Sequence, residues 1–321
     1  LAAIGFATHR QRTRGWRFGV AVFEYADKEI GWKEIMLTVS SMNIGVMVLT
    51  LPRVLANATK SSDGWISMIL ASVLVLVFGF IAAKLVSKFY HRNFFEYAAL
   101  IASKPVAYIL MLLMFTNFFI MVAYEVRAMA SISQFYLFEQ TPLEVIGLTF
   151  LLVVGYAVSG SRVGILRLNV LFLPIVLCVT AMMLVSSIGL LSLTHMEPFF
   201  VSSGKQIFSG VKEAVPTILG FEVILFYAGW MNRPKEVTKG VMLGLSISSL
   251  LYLTIFLFSI GIFTRIGVVN TLYPTIEIAK EIHIPGEFFE RFESIFFVVW
   301  IMTIFNTASM SFDLAIDCLQ S

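Results

Sequence analysis

Ser40, Ser41, Asn43 and Gly45 follow one another inside EIMLTVSSMNIGVMVLTLPRVLANA, Glu34 to Ala58, a stretch otherwise apolar enough to enter a bilayer. They do not pair a nucleophile with a base. They interrupt a helix and put polar groups at its middle. Backbone freed from helical hydrogen bonding inside a membrane is tolerated only where protein or a water-filled cavity satisfies it, so an interrupted span suggests a site rather than an anchor. A second set stands in KEAVPTILGFEVILFYAGW, Lys212 to Trp230. Pro216 removes a backbone donor and crowds the preceding turn. Gly220 follows four residues later, and Glu222 places an ionisable group within the membrane, where such groups are expensive and face an interior or a cavity. Either break alone reads as a plain kink, because Pro and Gly are common in membrane helices. Two breaks at matching positions predict a solute site between them.

Two further runs carry polar residues at helical spacing. Asn117, Met121 and Tyr124 are four and then three apart and share a helix face, with Glu125 beside them. Thr303, Asn306, Thr307 and Ser311 lie on roughly one face of another run. Such residues also hold helices together through interhelical hydrogen bonds, worth about 0.6–2 kcal/mol each. An enzyme finds no support: there is no nucleophile with its base, no metal-ligand spacing and no phosphate loop. His91, His195 and His283 fall at span ends or in loops, where solvation is the default. Cys178 and Cys318 sit in or beside apolar runs and suggest neither a disulfide framework nor a metal site, so no cofactor is implied.

The elements that must position these residues are membrane helices. Hydrophobic residues make up 58% of the chain, charged residues 13%, and the mean hydropathy is +0.87. Globular domains carry roughly 25% charged residues. The apolar runs do not alternate, which argues against a β-barrel. A span needs about 20 mostly apolar residues, and eight stretches meet that need: Glu34–Leu55, Gly64–Phe89, Val106–Phe135, Pro142–Ser159, Leu166–Leu193, Gln206–Trp230, Lys239–Phe263 and Phe288–Asp313. Between the last two, the TIEIAKEI segment reads as a short amphipathic helix on the membrane surface. The interrupted spans are the first and the sixth. That separation of five is what an inverted five-helix repeat predicts. A repeat of five needs ten helices, so residues 27–321 are expected to form one polytopic domain lacking its C-terminal part.

Lys and Arg set orientation. The net charge of +3 says little by itself and gives no reason to expect a nucleic-acid partner. With the N-terminus inside, more basic residues fall in cytoplasmic segments than in outer ones, even without the basic cluster of residues 1–26, which reads as a disordered tail. The outer side is acidic, with Glu277, Glu281, Glu287, Glu290 and Glu293 close together.

LTVSSMNIGVMVLTLPR, LGFEVILFYAGWMNRPKE and FERFESIFFVVW together resemble the B subunits of bacterial spore germinant receptors, a branch of the amino acid–polyamine–organocation transporter superfamily. The resemblance runs from about Asp27 to the end. It implies an all-α membrane protein with a LeuT-like inverted-repeat fold, eight transmembrane helices being present of ten. It implies a receptor for a small germinant, often an amino acid, in the inner membrane of the spore, with A and C subunits and membrane lipid as partners. Unwound backbone at Asn43, Ile44, Gly45 and Val46 would offer N–H groups to a ligand carboxylate, and Thr217, Ile218, Leu219 and Gly220 would line the opposite side, Leu219 touching an aliphatic side chain. Asn117 and Met121 of the third span would pass the site, with Tyr124 and Glu125 near its outer mouth as gating groups. Thr303 and Thr307 would approach it from the eighth span, where sodium-coupled relatives build a cation site. Glu222 could be a ligand contact, a proton-coupling group or the partner of a basic residue, a structural or gating role being favoured. Met47 stands where a small residue is common and narrows the space expected at the break. A secondary amino acid transporter coupled to H⁺ or Na⁺ shares the fold and the pocket, and fold alone does not separate the two readings.

Overall fold

The computed structural model describes residues 30–89, 92–231, 233–282 and 292–320. The basic tail, Lys28, His91, His283, Glu287, Glu290 and the first residues of the eighth expected span lie outside the described residues.

The first expected span is two helices, α1 (Trp32–Asn43) and α2 (Met47–Thr59), bent by 53° at Ile44–Val46. Then come α3 (Gly64–Lys88), the short α4 (Phe94–Ile101), α5 (Lys104–Tyr136), α6 (Leu143–Val158) and α7 (Arg162–Ser186). The sixth span is broken as well. Its first half is α8 (Gly204–Thr217), and beyond Ile218–Gly220 the chain resumes as a short turn leading into α9 (Ile224–Tyr227). α10 (Val237–Asn270), α11 (Pro274–Lys280) and α12 (Phe292–Gln320) complete the fold. Non-helical backbone at Thr264 (φ 62°) divides α10 just past Phe263, where the seventh span was expected to end. Among the described residues, five helices are long and apolar enough to cross a membrane, or six if the bent pair α1–α2 is one span. α6, at 16 residues, reaches about 24 Å, short of a hydrocarbon core of about 30 Å. Each half of the sixth span is shorter still. The eight segments stand where they were expected, but two are too short to qualify by length alone.

The helices pair at the separation the repeat predicts. The most extensive packing joins the third span to the eighth (α5 with α12) and the second to the seventh (α3 with α10). α1 lies closely along α10. Gly240, Gly244 and Ser248 recur every four residues, the small-residue spacing that lets membrane helices approach. A Cβ on Gly244 would come within 2.6 Å of the Met36 carbonyl oxygen, and Ser40 Oγ donates to the Gly244 carbonyl at 3.0 Å. The outward faces of α3 and α5 expose Leu70, Val73, Val77, Phe78, Leu112, Leu113 and Phe119. Contiguous apolar surface of this kind suits lipid rather than water. This is a multi-pass membrane protein.

One expectation needs correction. The TIEIAKEI helix forms, as α11, but it does not lie on the surface. It docks against α2 and α12 with Pro274, Thr275, Ile276, Ile278 and Ala279 buried. The reason lies in α2. Pro52 has no N–H, so the Val48 carbonyl four residues earlier loses its helical partner. The Thr275 hydroxyl supplies one at 2.9 Å. The acidic face is also less free than expected: Glu277 accepts a hydrogen bond from the Tyr136 hydroxyl (2.8 Å) and pairs with Lys280 (3.0 Å).

Candidate ligand site at two broken helices

The two breaks meet in the middle of the bundle. α1 ends as the Ile44 amide donates to the Ser40 carbonyl, and α2 begins from Val46. The last turn of α1 is polar and enclosed: Ser40, Ser41 and Asn43 are at most 2% exposed, as is the apolar Ile44 that follows. Unwinding leaves carbonyls without helical partners, and side chains from other helices satisfy them. The Tyr252 hydroxyl donates to the Asn43 carbonyl at 2.7 Å, with the Thr217 carbonyl of the other break at 3.4 Å. The Trp300 indole donates to the Gly45 carbonyl at 3.3 Å. The Thr307 hydroxyl lies 3.3 Å from the Ser41 carbonyl and 3.0 Å from that of Thr303. Tyr252 therefore bridges both breaks through one oxygen.

Glycine is needed at each break for space. At Gly220, φ is 165°, extended backbone open to any residue. A Cβ there would nonetheless overlap the Asn43 side-chain amide, which is wedged between the breaks and donates to Ser248 Oγ at 2.9 Å. At Gly45 a Cβ would stand 2.7 Å from Glu125 Oε1 and 3.3 Å from Thr307 Oγ1.

Glu125 is thus inside the site rather than at its mouth. It is 1% exposed, and its carboxylate lies over Gly45 and faces the Val46 amide, at the start of α2. Glu222 stands in the same way at the other break, two residues past Gly220 where the chain resumes. Each resuming helix therefore has a carboxylate of this chain at its N-terminal end, where anions are favoured. Glu125 Oε2 and Glu222 Oε2 are buried with no hydrogen-bond partner, as is Asn43 Oδ1.

The other expected site residues divide. Thr307 is brought onto the first break, and Thr303 is buried beneath it with its hydroxyl 3.4 Å from the Val299 carbonyl. Val46 is buried and Met47 half-buried where α2 starts. Thr217 donates its hydroxyl to the Glu213 carbonyl in its own helix and presents its carbonyl to Tyr252. Leu219 is half-buried at the second break, and Met121 is half-buried one turn before Glu125. Asn117 is not brought in: it is exposed on α5, about 12 Å along the helix from Glu125. Tyr124 is 40% exposed and lines a cavity of about 820 Å³ together with Thr50, Arg53, Asn57 and Glu213. The Asn306 amide and the Ser311 hydroxyl are buried without partners on α12. Tyr252, Trp300 and Ser248 were missed. Their signals were present: aromatic residues with polar tips at mid-span depth, which seek hydrogen-bond partners, and the serine that continues the Gly240–Gly244 spacing.

The two ends of the bundle differ. The cavity beside Tyr124 lies along the half of α2 that leads to Asp63. There Asp63 accepts the amides of Phe200 (2.7 Å) and Ser202 (2.9 Å), pinning the loop before α8. Burial raises the Asp63 pKa, but these amide donors outweigh it and hold the carboxyl below its ordinary range. At the opposite end an ionic latch ties three segments. Arg162 at the start of α7 pairs with Asp313 (3.0 Å) and Asp317 of α12, and the Tyr227 hydroxyl of α9 donates to Asp313 at 3.1 Å.

The fold is that of a known class of transporters. A nucleobase-cation-symport-1 family transporter, Mhp1, solved in a closed conformation with bromovinylhydantoin bound, superposes with a TM-score of 0.62 at 16% identity, over 89% of this chain. The chain spans 65% of that transporter's length. The likeness establishes the LeuT-like inverted-repeat fold. In sequence, spore germination protein GerLB of Bacillus cereus is 42% identical over 299 residues, 91% of this chain and 79% of that protein. Spore germination protein YndE of Bacillus subtilis (strain 168) is 32% identical over 265 residues, 83% and 73% of the two chains. Spore germination protein B2 of the same strain is 29% identical over 275 residues, 86% and 74%. Residues 29–321 match the family described as spore germination protein, the spore permeases. With both broken spans inside that match, the chain belongs to the spore permease family of spore germination proteins.

Proposed function

We propose that the chain is the membrane-embedded germinant-sensing subunit of a spore germinant receptor, binding a small nutrient, an amino acid, between its two broken helices to trigger germination. One observation carries the reading: in a chain whose relatives are spore germination proteins, the breaks face each other across Asn43 and share Tyr252, with unpartnered polar atoms buried between them. Burying polar groups without partners is costly, and a ligand that supplies partners recovers that cost. Leu219 supplies an apolar wall for an aliphatic side chain.

The subunit acts in the inner membrane of the spore, beside A and C subunits. Lys84, Lys88, Arg92, Lys104, Arg167, Arg233, Lys235 and Lys239 gather at the Arg162 end, against fewer at the Asp63 end, and the positive-inside rule makes the former cytoplasmic. The N-terminus is then cytoplasmic too. The germinant enters from the outer, Asp63 end through the cavity beside Tyr124, while the Arg162 latch closes the other. A germinant screen on spores in which this gene complements a receptor deletion tests the proposal. Leu219→Phe is expected to change which compounds act without abolishing every response. An unchanged germinant profile in that variant counts against the site.

The transporter likeness in fold supports a second reading, a secondary amino acid transporter coupled to H⁺ or Na⁺. Uptake of labelled amino acid into proteoliposomes containing this chain alone favours it; its absence, with germination restored in spores, favours the receptor.

A further inference from the structure

We propose that Glu125 is the counter-ion of the site: its carboxylate holds the ammonium group of the bound solute, so the site selects amines. The inference rests on the midplane site proposed above and names the chemical class it takes.

Three observations carry it. First, the position that would receive a ligand carboxylate is occupied. At the start of α2 the Glu125 carboxylate lies over Gly45 and faces the Val46 amide. Second, Glu125 is left half-satisfied. One oxygen lies against Gly45, while Oε2 is buried and has no partner. The groups around it, Gly45, Val46, Tyr124 and Tyr252, include no cation. Arg53, on the same half-span, lies about two turns further along α2 and donates its Nε to the Val269 carbonyl at 3.1 Å. An enclosed carboxylate is costly until it is neutralised, and a bound ammonium group neutralises it. Third, the surrounding backbone offers acceptors. α1 and α8 both end at the site, so their last carbonyls lie there. The carbonyls of Ser41, Asn43, Gly45 and Thr217 add acceptors that an ammonium can use. The carboxylate of an amino acid held this way points to the cavity that Arg53 lines. Without a solute, Glu125 lies over Gly45.

The test uses the full chain in lipid nanodiscs. Binding is read by thermal stabilisation and by tryptophan fluorescence, since Trp300 is bonded to the first break. The probes are the twenty standard amino acids, ethylamine, propionate, glucose and inosine. Compounds that bind are expected to carry an ammonium group, and propionate, which is alanine without its amine, is expected not to bind. Glu125→Gln keeps the size but removes the charge, and it should weaken binding by at least roughly thirtyfold. Glu125→Asp should retain part of the affinity. Affinity within threefold of the wild type in a folded Glu125→Gln protein overturns the proposal, because a neutral amide would then serve as well as a carboxylate. Binding of propionate equal to that of alanine overturns it too. If no compound binds the wild-type chain, the midplane site itself fails and this inference with it, whereas binding that survives Glu125→Gln sinks the counter-ion alone.

Discussion

Replacing Gly45 with Ala tests whether Glu125 is seated on the first break. The added methyl carbon would lie 2.7 Å from Glu125 Oε1, 3.3 Å from Thr307 Oγ1 and 3.4 Å from Thr307 Cγ2. The two Thr307 contacts are relieved by a shift of a few tenths of an ångström, so the outcome turns on Glu125. Its carboxylate must retreat from its place over the break, and overpacking an enclosed site costs about 1–3 kcal/mol. At a contact this short the expected loss is about 2–3 kcal/mol, on the order of 5 °C in the melting temperature of a chain this size. Germinant response or binding is expected to be lost while the protein still assembles. The decisive measurement is the double-mutant cycle with Glu125→Ala, read as thermal unfolding in detergent. Glu125→Ala alone destabilises, because truncating an enclosed side chain leaves a cavity, but it clears the space that the new methyl needs. Gly45→Ala should then cost little, giving a coupling of about 2 kcal/mol between the two positions. If Gly45→Ala costs the same in both backgrounds, Glu125 is not what fills the break, and the account of the site is wrong.

Tyr252→Phe removes the hydroxyl shared by the two breaks and should raise amide hydrogen exchange at Asn43–Val46 and Thr217–Gly220 together; exchange rising at one break alone would contradict the bridge. Arg162→Ala frees Asp313 and Asp317 from their cation and should loosen that end of α12. Maleimide labelling of the buried Cys318 is then expected to rise several-fold relative to the exposed Cys178, and unchanged labelling would mean the latch carries no load. The Asp63 clamp lies outside the spans and is pH-dependent. A carboxyl with a depressed pKa contributes stability above its unfolded value of about 3.9 and loses it as pH falls through the folded value. The clamp should be intact at neutral pH and release only below about pH 4. Asp63→Asn should remove that part of the acid transition and cost about 1–3 kcal/mol at pH 7; an acid profile identical to the wild type would show that another group governs it.

Much of the architecture was legible because the bilayer constrains it so strongly. Runs of apolar residues must be helices there, and polar or helix-breaking residues inside such a run must be accommodated by other protein. Ser40 to Gly45 and Pro216 to Gly220 therefore marked both breaks, and their separation by five spans indicated the repeat. The docking of α11 was not legible, because it depends on which helix brings a hydroxyl to the carbonyl that Pro52 orphans in α2. The TIEIAKEI segment carries no sign of that partner.

The side chains that fill the site were hidden for a related reason. α5 is apolar nearly all round, so periodicity does not say which of its faces turns inward. The reading from spacing alone favoured Asn117, Met121 and Tyr124. Packing against α12 and the first break buries the adjacent stripe instead, Phe118, Val122, Glu125 and Met129. Successive residues on a helix point about 100° apart, so Tyr124 lines the outer cavity while Glu125 reaches the first break. The chain itself determined that two helices break and where. Only the tertiary structure decided which carboxylate closes the first break, because in a helix greased on every side the rotation is set by its neighbours and not by its own pattern.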